Sequence, residues 1–241
     1  MADDEGEVFG ARRGWSLGRR LLASDSYGLL LLMILVSLIV STLDLSSLGR
    51  LGELLRVVIL GGTLAFALHT SQSKPRAYVA CALLVGSATV LTVSFDAGSR
   101  AGRAIAAASA LLLVIALLVT ILRRSAEHLV VTGSSILAAI CVYLLIGLAY
   151  SSVYGFVAAI GTSGLFVTVG DGTSTDRIYF SYITITTVGY GDLTMAGSPG
   201  RMIAATEGLL GQIYLVTVVA LLVSNLGAAR RRRPEPPAGD A

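Results

Sequence analysis

Thr186-Thr187-Val188-Gly189-Tyr190-Gly191-Asp192 is the stretch on which the reading of this chain turns. It lies between two long apolar runs, residues 136–160 and 202–226. A peptide this rich in glycine makes a poor helix and a poor strand. Non-helical backbone is tolerated at membrane depth only where protein or a water-filled path surrounds it. Gly189 and Gly191 can take φ > 0, which other residues reach only at a cost. Alternating left- and right-handed residues can point successive carbonyls to one side. Four copies of such a strand around an axis would stack rings of oxygens able to replace an ion's water shell.

The flanks carry matching signals. Residues 176–186 place aromatic residues in the middle of a short segment and threonines at its end. Gly200-Arg201 and then Gly211 follow the glycine stretch. With Thr187 to Asp192 reading T-V-G-Y-G-D, residues 136–226 resemble the potassium channel family, in its prokaryotic six-span form. The first 130 or so residues resemble it only in their number of apolar spans.

The composition places the chain in a membrane. Of its 241 residues 54% are hydrophobic and 14% charged, against about a quarter charged in soluble domains. Apolar runs fall at residues 27–43, 54–68, 77–93, 104–122, 136–160 and 202–226, near the ~20 residues needed to cross, the second being short. The expected fold class is an all-α membrane protein. It has six transmembrane helices, a re-entrant pore helix and filter loop between helices five and six, and a four-fold tetramer. The expected domains are a cytoplasmic tail (1–26), a four-helix membrane domain resembling a voltage sensor without its charges (27–128), a pore domain (129–227) and a basic, proline-rich cytoplasmic tail (228–241). Arginine and lysine bias sets the orientation. Twelve of these residues, among them Arg12, Arg13, Lys74, Arg123 and Arg230–Arg233, fall on the side of the termini, and six on the other. Both termini are expected in the cytoplasm, in a multi-pass protein of the plasma membrane. Cys81 and Cys141 lie within apolar runs and read as buried small hydrophobes.

The resemblance implies site residues. Backbone carbonyls of Thr187, Val188, Gly189 and Tyr190 would hold K+, with the Thr187 hydroxyl adding the innermost ligand and Gly191 completing the filter. The Tyr190 ring would point away from the pore and brace the backbone. Asp192 either bonds Tyr179 or stands as a solvated rim charge, and Thr186 supports the filter. Gly211, and secondarily Gly208, would be inner-helix hinges. Gln212, Leu215, Val219 and Val223 recur at helical spacing and either line a cavity or pack between helices. Glu207 is an acid inside an apolar run, and such residues are functional candidates. It either bonds Thr184 or Thr186 at the back of the pore helix or is protonated.

The expected partners are three identical subunits and membrane lipids, anionic ones at Arg230–Arg233, with no nucleic acid. No cofactor is expected; K+ is cargo. The chain shows no nucleophile with a base, no His/Cys/Asp cluster and no phosphate loop, so an enzyme is not expected. The leading function is a potassium-selective channel that is not steeply voltage-gated. In the fourth span the every-third-residue register of Arg100 and Arg103 continues as Ala106, Ser109, Leu112 and Ile115, leaving no charge in the middle. The alternatives are a weakly selective cation channel, or a membrane sensor or scaffold whose four N-terminal helices bind a lipid or a partner.

Overall fold

The computed structural model describes residues 27–43, 50–70, 75–95, 99–126 and 133–231. Seven helices fall within them: α1 (Tyr27–Thr42), α2 (Arg50–Thr70), α3 (Pro75–Ser94), α4 (Arg100–Ala126), α5 (Gly133–Ile160), α6 (Ser174–Ile185) and α7 (Ser198–Arg231). The tail of residues 1–26 and Arg232 and Arg233 lie outside the described residues.

Local chemistry accounts for several of these boundaries. Pro75 opens α3, where its missing N–H is not needed. The Ser99 hydroxyl accepts from the Gly102 N–H (2.9 Å) at the start of α4. Ala and Leu dominate the middle of α4 and suit a helix. α1 buries Tyr27, Leu30 and Ile34 at three- and four-residue spacing, while Leu29, Leu32 and Val36 face outward. These residues join Leu60 and Leu64 of α2, Leu113, Val114 and Leu117 of α4, and Cys141 and Leu145 of α5 in the main core. Cys81 and Cys141 are buried free thiols.

Six spans around a four-fold axis are not what the structure contains. Among the described residues two helices are long and apolar enough to cross a membrane, Arg100–Arg123 of α4 and Ser135–Ile160 of α5. Shorter apolar stretches of described residues, 10–17 long, fall at Tyr27–Thr42, Leu54–Thr70 and Ala77–Leu91. α7 is 34 residues long, and not all of its side chains lie within the described residues. The expected six-span, four-fold fold is therefore corrected to a helical chain with two helices of span length. Those two make it a multi-pass membrane protein.

α5, α6 and α7 pack together at one end of this arrangement. Loop residues 161–173 are tied to the segment before α7, with the Val167 N–H donating to the Thr194 carbonyl (2.9 Å) and the Ala196 N–H to that of Leu165 (2.9 Å). A second, aromatic core lies beneath them, in which Phe180 meets Tyr154 and Phe166 edge-on at 5.3 Å each.

Candidate functional site

The site is built on α6. Its first turn is fixed by a capping box: the Thr173 hydroxyl accepts from the Asp176 N–H (3.1 Å), and the Asp176 carboxylate accepts from the Thr173 N–H (2.7 Å). The same turn is held from the N-terminal helices. Arg56 of α2 donates to the Ser174 hydroxyl (3.2 Å), and the Thr175 hydroxyl donates to the Thr42 carbonyl at the end of α1 (2.7 Å).

At its other end α6 stops at Thr186, and Thr187 turns to φ 59. A β-branched residue there is strained, by an amount on the order of 1–3 kcal/mol. Gly189 (φ 50) and Gly191 (φ 81) follow, while Val188 and Tyr190 keep negative φ. Handedness therefore alternates along the loop.

The N–H groups of this loop fold back onto α6. Thr187 N–H donates to the Thr184 carbonyl (2.9 Å), and Val188 and Gly189 N–H both donate to that of Ile183 (2.9 and 3.1 Å). Every peptide bond in the described residues is trans. In a trans peptide the carbonyl points opposite to the next residue's N–H. The Thr186, Thr187 and Val188 carbonyls consequently point away from α6. Among the described residues no backbone hydrogen bond ends on the carbonyls of residues 186–190. A row of oxygens is left open on an exposed edge.

Side chains set this loop from three directions. The Tyr143 hydroxyl of α5 donates to the Ile185 carbonyl (3.0 Å), and its ring stacks on Tyr214 of α7 at 5.9 Å. The Tyr179 hydroxyl donates to Asp192 (2.9 Å). That bond favours the neutral phenol and raises the Tyr179 pKa. The Gln212 amide of α7 donates to the Thr187 hydroxyl (3.3 Å), which places Gln212 beside the start of the loop. Thr186 donates to the Tyr182 carbonyl (2.5 Å) at the end of the helix.

Other expected site residues sit differently. The Tyr190 ring is 73% exposed within its own chain. Leu215 is exposed on α7, as is Gln212, while the side chains of Val219 and Val223 lie outside the described residues. Gly211, the expected hinge, is buried against α6: a Cβ there would stand 2.6 Å from Ile185 Cγ1 and 2.7 Å from the Ile185 carbonyl oxygen. Gly208 has more room, with the Thr184 carbonyl at 3.7 Å. Glu207 is fully buried and bonds neither Thr184 nor Thr186; its partners are Ser181 and Tyr154 (2.5 Å each).

Sequence reasoning missed Ser181, Tyr154, Tyr143 and Gly147. One signal was available for Ser181. It shares the buried face of α6 with Ile178 and Ile185 at three- and four-residue spacing. A lone hydroxyl on an apolar face implies a buried partner opposite. The absence of a side chain at Gly147 admits the Tyr182 ring, which a Cβ would meet at 2.8 Å.

Residues 138–227 match the family model described as ion channel. That segment is similar to an ion-channel domain. The matched segment takes in α6 and most of α5 and α7, and none of α1–α4. The resemblance to six-span potassium channels is corrected accordingly: the match is to a channel unit of two long helices and the short one between them. An ion channel is a transport protein and not an enzyme. No curated protein and no solved structure matches the chain.

Proposed function

We propose that residues 129–227 form one chain's share of a cation-conducting pore. The observation that carries this reading is the row of open carbonyls at Thr186, Thr187 and Val188, turned away from α6 because the N–H groups of Thr187, Val188 and Gly189 are spent on Thr184 and Ile183. Carbonyl oxygens can replace the water shell of a cation and offer nothing to an anion. α6 ends at this loop, so the negative end of its dipole adds to the preference for positive charge. One strand of oxygens cannot surround an ion. A closed ring of identical chains completes the site, with four copies as the number the motif's resemblance implies. Met202, Leu209, Ile213 and Val216 support such a ring, because they form an apolar stripe on α7 that one chain leaves exposed.

The finer reading is selectivity for K+ over Na+ as cargo. It is favoured by the intact Thr187-Val188-Gly189-Tyr190-Gly191 and by the alternating handedness there. The ion sites would be the Thr187, Val188, Gly189 and Tyr190 carbonyls. Purified protein in lipid vesicles under asymmetric K+ and Na+ is expected to pass cation current reversing toward the K+ potential. Reversal near zero would leave a weakly selective cation channel. Anion current, or none, would overturn the pore reading. Native mass spectrometry is expected to give a ring of copies, and a single chain would overturn it equally.

In this reading α1–α4 are a collar that steadies the outer end of α6 through Arg56 and Thr42. A voltage sensor needs about 3–4 charges per subunit within the field. Arg100 and Arg103 open α4 and Arg123 lies near its end, with Leu113, Val114 and Leu117 buried between them. Macroscopic conductance is therefore expected to change little over a wide voltage range. A steep rise that persists without blocking ions would contradict this. In the same reading both termini lie in the cytoplasm, and the Arg230–Arg233 run suits anionic headgroups.

A further inference from the structure

Glu207 lies on α7 with 0% of its surface exposed, as do Ser181 on α6 and Tyr154 on α5. Three close oxygen–oxygen contacts meet there. Tyr154 Oη is 2.5 Å from Glu207 Oε2, Ser181 Oγ is 2.5 Å from Glu207 Oε1, and Ser181 Oγ is 2.7 Å from the Gly147 carbonyl oxygen. Each contact needs one hydrogen between its two oxygens. Tyr154 brings one, Ser181 brings one, and the Gly147 carbonyl brings none. The two contacts of Ser181 are too short to share a single hydrogen. The third hydrogen must come from Glu207.

The directions then follow without conflict. The Tyr154 hydroxyl donates to Oε2, the acid O–H at Oε1 donates to Ser181 Oγ, and the Ser181 hydroxyl donates to the Gly147 carbonyl. An ionised Glu207 would leave one Ser181 contact as two acceptors facing each other at a fully buried position. Bond length alone does not decide the matter, since 2.5 Å suits a hydroxyl facing a carboxylate or a neutral acid. The surroundings agree with the count. Both direct partners of Glu207 are uncharged, and the ionisable groups facing it are the phenols of Tyr143, Tyr154 and Tyr182.

We propose that Glu207 is held as a neutral carboxylic acid whose one proton positions α6 between α5 and α7. Ser181 is two residues before Ile183, whose carbonyl receives the Val188 and Gly189 N–H groups. A shift of α6 at Ser181 would move that anchor and turn the open carbonyls with it. Glu207 is thus a positioning residue. Its effect on conduction rests on the pore reading above; its proton does not.

The test uses the full chain in lipid. Glu207→Gln keeps every direction, because its amide oxygen accepts from Tyr154 and its NH2 donates to Ser181. Glu207→Ala removes both links. An infrared difference spectrum, wild type minus Glu207→Gln at neutral pH, is expected to show the carbonyl stretch of an un-ionised carboxylic acid. Glu207→Gln is expected to keep the wild-type melting temperature and K+/Na+ current ratio. Glu207→Ala and Ser181→Ala are expected to melt lower by about 5 °C or more and to lose selectivity. A carboxylate band in place of the acid band, or Glu207→Gln failing as badly as Glu207→Ala, overturns the proposal. An acid band in a protein that passes no cations would sink the pore reading and leave the proton assignment standing. Cation current with an ionised Glu207 would do the reverse.

Discussion

Gly211→Ala is expected to lower the melting temperature of the chain by about 5–10 °C and to abolish its cation current. The added Cβ would stand 2.6 Å from Ile185 Cγ1 and 2.7 Å from the Ile185 carbonyl oxygen. The isoleucine tip can rotate away, but the carbonyl is backbone. It is also held in place by the Tyr143 hydroxyl at 3.0 Å. α7 must therefore retreat from α6, or the end of α6 must move. Overpacking of this kind costs about 1–3 kcal/mol, occasionally more. Either movement displaces Thr187, which Gln212 touches one residue along α7. Gly208→Ala is the control, since its nearest neighbour, the Thr184 carbonyl, is 3.7 Å away; that variant is expected to stay within about 0.5 kcal/mol of wild type. The measurements are thermal melting in detergent and current from reconstituted vesicles. A Gly211→Ala protein that melts normally but gates differently would restore the hinge role and remove the packing one.

What the sequence made legible, and what it hid, divides along a physical line. The turn at Gly189 and Gly191 could be read because only glycine visits that backbone region cheaply. The membrane setting followed from composition. Six apolar runs read as six crossings, whereas among the described residues two helices are long and apolar enough to cross. The partners of Glu207 were hidden for a different reason. Ser181 and Tyr154 lie 26 and 53 residues away along the chain. Which side of α7 meets which turn of α6 depends on packing that no local pattern encodes. Thr184 and Thr186 offered hydroxyls closer in sequence to the loop, but Thr186 spends its own on the Tyr182 carbonyl. Gly211 illustrates the same limit. A glycine in a long helix reads as a bend, and its close approach to a neighbour, here Ile185, shows only in the packing. The contact of Arg56 with Ser174, 118 residues apart, could not have been anticipated at all.

Gly189→Ala should leave the protein folded and inserted yet remove its selective current. Within one chain nothing lies within 4 Å of the position a Cβ would take, so no clash opposes folding. The penalty comes from the backbone. At φ 50 an alanine sits in the left-handed region, which costs it about 1–2 kcal/mol. The cheapest relief is to turn the peptide between Val188 and Gly189. That breaks the 3.1 Å bond from the Gly189 N–H to the Ile183 carbonyl and swings the Val188 carbonyl off the open row. In a ring of identical chains the cost recurs in every copy, and one displaced oxygen per chain removes a whole layer of ligands. Thr187 shows that the loop can hold one residue with a side chain at positive φ, 59 in its case, but there the Gln212 amide anchors the hydroxyl at 3.3 Å. Alanine has no such handle. The expected result is a melting temperature within about 4 °C of wild type, unchanged membrane insertion, and K+ current lost or no longer distinguished from Na+ current. Wild-type selective current from the Gly189→Ala protein would remove residues 187–191 as the ion path, and with them the reading of the open carbonyls as cation ligands.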